Sequence, residues 1–186
     1  MDTLLLLLMA LVAFTAWVGV LDARSGHIPN RLLLVGFALG VLGHAAVYLS
    51  DMHQRSLGQA LSALGFNVLA GLLLCGAVPF LLFRLNAMGG GDVKLLAVVG
   101  ASVGPLLGME LELYAFVLLA LFAPARLAYR GQLLSSLANS VALFVNPLLP
   151  EARRRPVPRE LLTPLPFGPA VCAASVLVAV LYWRGA

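Results

Sequence analysis

The stretch TLLLLLMALVAFTAWVGVLDARSGHIPNR, Thr3–Arg31, decides the fold. From Leu4 to Leu21 it is a predominantly apolar run, long enough as a helix to approach the thickness of a bilayer's hydrocarbon core. A chain in lipid must satisfy its main-chain polar groups internally, which makes the run a helix. It closes on an acid, Asp22. The chain then turns at Gly26 and restarts after Pro29, where Asn30 is suited to cap a second helix. No Lys or Arg precedes the run and further apolar segments follow it, so it is expected to be a retained first helix and not a cleaved signal.

The rest of the chain repeats this character. Its 186 residues are 61% hydrophobic and 11% charged, with a mean hydropathy of +0.99. A soluble domain carries about 25% charged residues, so the composition specifies an all-α, polytopic membrane helical bundle. Six apolar segments are expected to cross: Leu4–Leu21, Leu32–Leu49, Leu57–Phe83, Val93–Leu107, Leu111–Tyr129 and Phe167–Trp183. Small residues within them, such as Gly36 and Gly40, suit close helix approach. The whole chain, 1–186, reads as one integral membrane domain. Cys75 and Cys172 lie alone within apolar segments, with no metal or redox spacing around them. No cofactor is expected.

Between Arg130 and Phe167 the pattern changes. Leu133–Leu149 carries Ser135, Ser136, Asn139, Ser140, Asn146 and Pro147, which predicts an interfacial helix lying on the membrane. Pro150–Arg159 is a basic, proline-rich surface loop. Counting Lys and Arg by loop orients the chain. One side holds ten, namely Arg24, Arg31, Arg84, Lys94, Arg126, Arg130, Arg153, Arg154, Arg155 and Arg159; the other holds two, Arg55 and Arg184. The basic side is expected to be cytoplasmic, with both termini outside. The net charge of +4 is spread over loops and gives no sign of nucleic-acid binding.

Asp22 and Asp92 then stand out. An acid at the edge of hydrocarbon is costly and is a functional candidate by default. Asp92 follows Gly89-Gly90-Gly91 and precedes Val93-Lys94. The expected topology puts both aspartates at the same membrane face, where helix packing can set them side by side. Two adjacent carboxyls can divide acid and base roles and activate water. The alternative for Asp92 is a helix cap. A phosphate loop is excluded, because the glycine run lacks the required spacing and hydroxyl.

Gly89-x-Gly91-Asp92-Val93-Lys94, with Asp22 leading to Ile28-Pro29-Asn30, resembles the type IV prepilin peptidase family of GxGD membrane aspartic proteases. Leu165-Pro166-Phe167-Gly168-Pro169-Ala170 is similar to that family's Pro-x-Gly element ahead of its last helix. The resemblance covers essentially the whole chain. It implies a multi-pass protein of the bacterial inner membrane with Asp22 and Asp92 as catalytic dyad. Its implied partners are prepilin-like substrates with a short basic leader, cut just before the apolar segment. Gly89, Gly90, Gly91, Pro166, Phe167 and Gly168 would shape the site and hold the cleaved stretch extended. The loop Ala23–Arg31 lacks the cysteines of the bifunctional members, which argues against a methyltransferase activity. Its shortness resembles peptidases dedicated to Flp-type, tight-adherence pilins.

Other polar residues receive quieter expectations. Lys94 either lies near the dyad or anchors at the interface. His27 is an ordinary loop residue, His44 makes a helix-to-helix hydrogen bond, and Glu110 and Glu112 are solvated charges beside an outward loop. Two rival functions remain: a proton-coupled transporter, which needs repeated halves or midplane polar groups, and a noncatalytic pilus-assembly subunit, which needs no paired aspartates.

Overall fold

In the computed structural model, the residues described are 3–50, 56–85, 87–129, 131, 133–135, 137–138, 141 and 166–185. Six helices order them: α1 (Thr3–Ser25), α2 (Asn30–Ser50), α3 (Leu57–Arg84), α4 (Gly90–Val103), α5 (Pro105–Tyr129) and α6 (Gly168–Gly185). Five of the six, all but α4, are long and apolar enough to cross a membrane. The protein is a helical membrane bundle. Most of the expected interfacial helix, and all of the basic linker, lies outside the described residues.

The fourth apolar segment departs from expectation. Hydropathy alone carries it from Val93 to Leu107, yet α4 starts at Gly90 and stops at Val103, 14 residues in all. Gly104, at φ 84°, breaks the helix, and Pro105 starts the next one at once. Proline tolerates the first helical position, where its missing N–H has no role. A 14-residue helix is about 21 Å long, short of a ~30 Å hydrocarbon core.

The chain divides into two compact units, residues 1–118 with 166–186, and residues 119–165. The first holds the aspartates. Within it, small residues let backbones meet. A Cβ on Gly36 would strike the Phe14 ring of α1, and one on Gly40 would strike Ser102 of α4. Gly71 of α3 lies against the Gly100 carbonyl of α4 too closely to admit a side chain. Association in lipid depends on such packing, since apolar burial gives little drive there.

Polar contacts fix the directions. Thr3 Oγ1 lies 3.1 Å from Ser50 Oγ, so α1 and α2 run antiparallel. Thr15 and Ser175, both buried, bond at 3.1 Å between α1 and α6. His44 Nδ1 is 2.7 Å from the Ser102 carbonyl, joining α2 to α4 as expected. Glu112 is a correction: it is 6% exposed, and its Oε1 has no hydrogen-bond partner among the described residues. Because α5 already begins at Pro105, Glu112 falls two turns inside a helix and not beside a loop. It follows Gly108 by one turn on the same face, where a Cβ at Gly108 would lie 2.7 Å from Cys75 Sγ.

Candidate active site

Asp22 stands in the last turn of α1. Gly26, at φ 62°, ends that helix and returns its N–H to the Asp22 carbonyl at 2.8 Å. This is the left-handed glycine stop that terminates many helices. The Asp22 side chain is 6% exposed. Its Oδ2 accepts the main-chain N–H of Gly168, the first residue of α6, at 2.8 Å. Gly168 fits only without a side chain, since a Cβ there would lie 2.9 Å from Asp22 Cβ and 3.0 Å from Gly19 Cα. Phe167 anchors the approach to α6: it is 3% exposed and rests on Phe116 with ring centroids 5.4 Å apart. Pro166, half-buried, precedes it.

Asp92 stands in the first turn of α4. The expected glycine turn is partly helix: Gly89 is the N-cap, in an extended conformation, while Gly90 and Gly91 are the first helical residues. Asp92 is therefore not the cap residue but sits three positions inside, where an acid can accept the N-cap main-chain N–H. A Cβ on Gly89 would be 3.1 Å from Asp92 Oδ2, and one on Gly91 would be 3.5 Å from Ile28. Ile28 itself is 4% exposed. The loop after Asp22 is thus packed directly beneath the first turn of α4.

The charge of Asp22 bears on Asp92. Asp92 lies outside the five spanning helices, and its pKa is pushed up from 3.8 to about 6. Burial is the largest cause, the Asp22 charge adds to it, and a hydrogen bond from the Gly89 main chain opposes both. The helix dipole also favours a charge on Asp92 and disfavours one in the last turn of α1, but such effects are about 0.3–1 kcal/mol. The displacement of Asp92 by about two pH units corresponds to ~3 kcal/mol before solvent screening. Burial and the neighbouring acid win, and Asp92 holds its proton to a higher pH than an ordinary carboxyl.

Lys94 does not pair with either acid. Its Nζ donates to Asn30 Oδ1 at 2.9 Å. That corrects the expected cap: α2 already includes Asn30, and its first main-chain bonds run from Leu32 and Leu33 to the Pro29 carbonyl. The sequence also gave no hint of Ile28 as a buried contact or of Gly19 as the surface on which Gly168 rests. Their signal was only that a short loop between two spanning helices must fold back on something. Among the described residues, no three His, Cys, Asp or Glu side chains gather where they could hold a metal ion.

The model of the type IV leader peptidase family matches residues 9–124, a span that runs from α1 into α5 and includes Asp22, Ile28-Pro29-Asn30, Gly89–Asp92 and Lys94. Neither the curated proteins nor the solved structures give a match.

Proposed function

This chain belongs to the type IV leader peptidase family, and from that premise we propose that it is an aspartic endopeptidase whose catalytic pair is Asp22 and Asp92. The family gives a protease acting on prepilin-like precursors. The observation that carries the finer reading is the influence of the Asp22 charge on Asp92, two carboxyls 70 positions apart in sequence and each half-buried or better. A structural carboxyl is ordinarily satisfied by a cation or by several donors. Here each carboxyl accepts a main-chain N–H, from Gly168 and from Gly89, and the charge of Asp22 bears on Asp92.

The reaction follows from their unequal surroundings. Asp22, held by the Gly168 N–H, is the ionised member and takes a proton from a water lying between the pair. That water attacks the scissile carbonyl. Asp92, carrying the proton, hydrogen-bonds the carbonyl oxygen as it gains charge and later helps protonate the leaving amine. Their roles exchange once the proton has passed. Gly89, with its extended main chain and no side chain, leaves the approach to Asp92 open for an extended peptide.

The Lys and Arg distribution supports an active site facing the cytoplasm, with both termini outside. A precursor with a basic leader in the cytosol and an apolar helix in the bilayer then meets the dyad where those two parts join. The short Ala23–Arg31 loop supports a peptidase dedicated to Flp-like pilins, without methyltransferase activity.

The test is cleavage of a pilin precursor by membranes holding the parent, Asp22→Asn or Asp92→Asn. Either substitution should abolish cleavage while insertion and abundance stay near normal. Persistent cleavage by one variant removes that residue from the pair. Cysteines placed at Ser25 and Ser56 should be labelled from opposite sides of the membrane; labelling from one side rejects the orientation.

A further inference from the structure

We infer that the hydrogen bond between Lys94 and Asn30 is a positioning clamp, which fixes the first turn of α4 on the loop that leaves Asp22. The inference rests on the dyad reading and adds to it a pair of residues that touch neither carboxyl.

The bond is unusual in where it stands. Both partners are exposed, so each could be satisfied by water. Holding a lysine in one rotamer costs more side-chain entropy than an exposed polar contact returns. Global stability is a poor reason to hold it. Its position supplies a better one.

Three contacts lead from one aspartate to the other. The Gly26 N–H closes on the Asp22 carbonyl at 2.8 Å. Ile28, 4% exposed, lies beneath Gly91, where an added Cβ would stand 3.5 Å from it. Lys94 Nζ then reaches Asn30 Oδ1 at 2.9 Å. Gly91 and Lys94 are three residues apart and share one face of α4. That face is seated on the loop by an apolar contact at one turn and a polar one at the next. Asp92 lies between them in sequence, rotated off that face.

Rotation or sliding of α4 against the loop would move Asp92 relative to Asp22 directly. The Ile28 contact resists approach but not sliding, because an apolar surface has no direction. The Lys94 bond is directional and opposes sliding. Displacements near 1 Å at a reacting centre cost on the order of 100-fold in rate. A weak surface bond can therefore hold a large share of catalysis while contributing little to folding.

The experiment uses the full chain in detergent or nanodiscs. Asn30→Leu, Lys94→Met and their combination are compared with Lys94→Arg, which keeps a donor, and with Asp22→Asn. Two measurements are made: amide hydrogen exchange over residues 26–30 and 89–93, and kcat and KM on a pilin precursor. A clamp predicts faster exchange in both segments from either single change, with no further rise in the double variant. It also predicts kcat lowered about 10-fold at a KM within about twofold of the parent, largely restored in Lys94→Arg. Exchange confined to the altered segment, additive effects in the double variant, or an unchanged kcat would overturn it. If Asp22→Asn still cleaves, the dyad reading falls, whereas the exchange result still judges the clamp.

Discussion

Replacing Asp92 with asparagine tests the electrostatics of the pair independently of catalysis. The carboxyl of Asp92 moves from 3.8 to about 6 in the fold, through burial first and the Asp22 charge second. Two pH units are worth ~3 kcal/mol. Asp92 is only partly buried, so screening reduces this to about 1–2 kcal/mol. A raised carboxyl holds its proton more tightly folded than unfolded. Its favourable contribution is complete below about 3.8 and is lost as pH rises through about 6. Asparagine has the same shape, no charge, and an oxygen that can still accept from Gly89. The Asp92→Asn protein should therefore match the parent near pH 4 and exceed it by about 1–2 kcal/mol at pH 8, or ~2–8 °C in melting temperature for a chain of this size. Thermal unfolding in one detergent across that pH range, followed by tryptophan fluorescence, measures the difference. In an Asp22→Asn background the gain should shrink, because one of its two sources has gone. A difference that does not vary with pH, or a variant less stable than the parent at pH 8, would refute the argument that a shared proton governs this site.

Two other outcomes follow from packing. Gly168→Ala places a methyl group 2.9 Å from Asp22 Cβ, so cleavage should fall at least about 10-fold at a stability cost near 1–3 kcal/mol, the usual scale of overpacking. Cleavage at the parental rate would show that α6 can shift without disturbing Asp22. Glu112→Leu removes a buried oxygen that has no hydrogen-bond partner among the described residues and should leave the melting temperature unchanged or raised. A fall of several degrees would mean that Glu112 has a partner in the membrane.

What the sequence made legible was set by range. The apolar runs fixed five spanning helices because each reports its own environment. The fourth run was overextended because hydropathy averages across Gly104-Pro105, two residues that together stop one helix and start another. The aspartates were legible because acids at the ends of apolar runs are conspicuous. Their shared end follows from counting crossings. The Gly168 donor was only half legible: the Pro166-Phe167-Gly168 turn was marked, but its N–H was expected to serve a peptide and not Asp22. Glu112 was misread, although Gly108, Leu111 and Ala115 surround it at helical spacing and define the buried face. The partner of Lys94 was illegible, since an exposed lysine and an asparagine far apart in sequence leave no pattern.

The order of synthesis gives the bond between Gly168 and Asp22 a further meaning. The donor is translated 146 positions after its acceptor, when the ribosome has already delivered α1 to α5. Until α6 enters the bilayer, the nascent protein carries both acids but lacks the amide that steadies one of them. On the proposed reading of the pair, hydrolytic competence is thereby deferred until α6 has inserted.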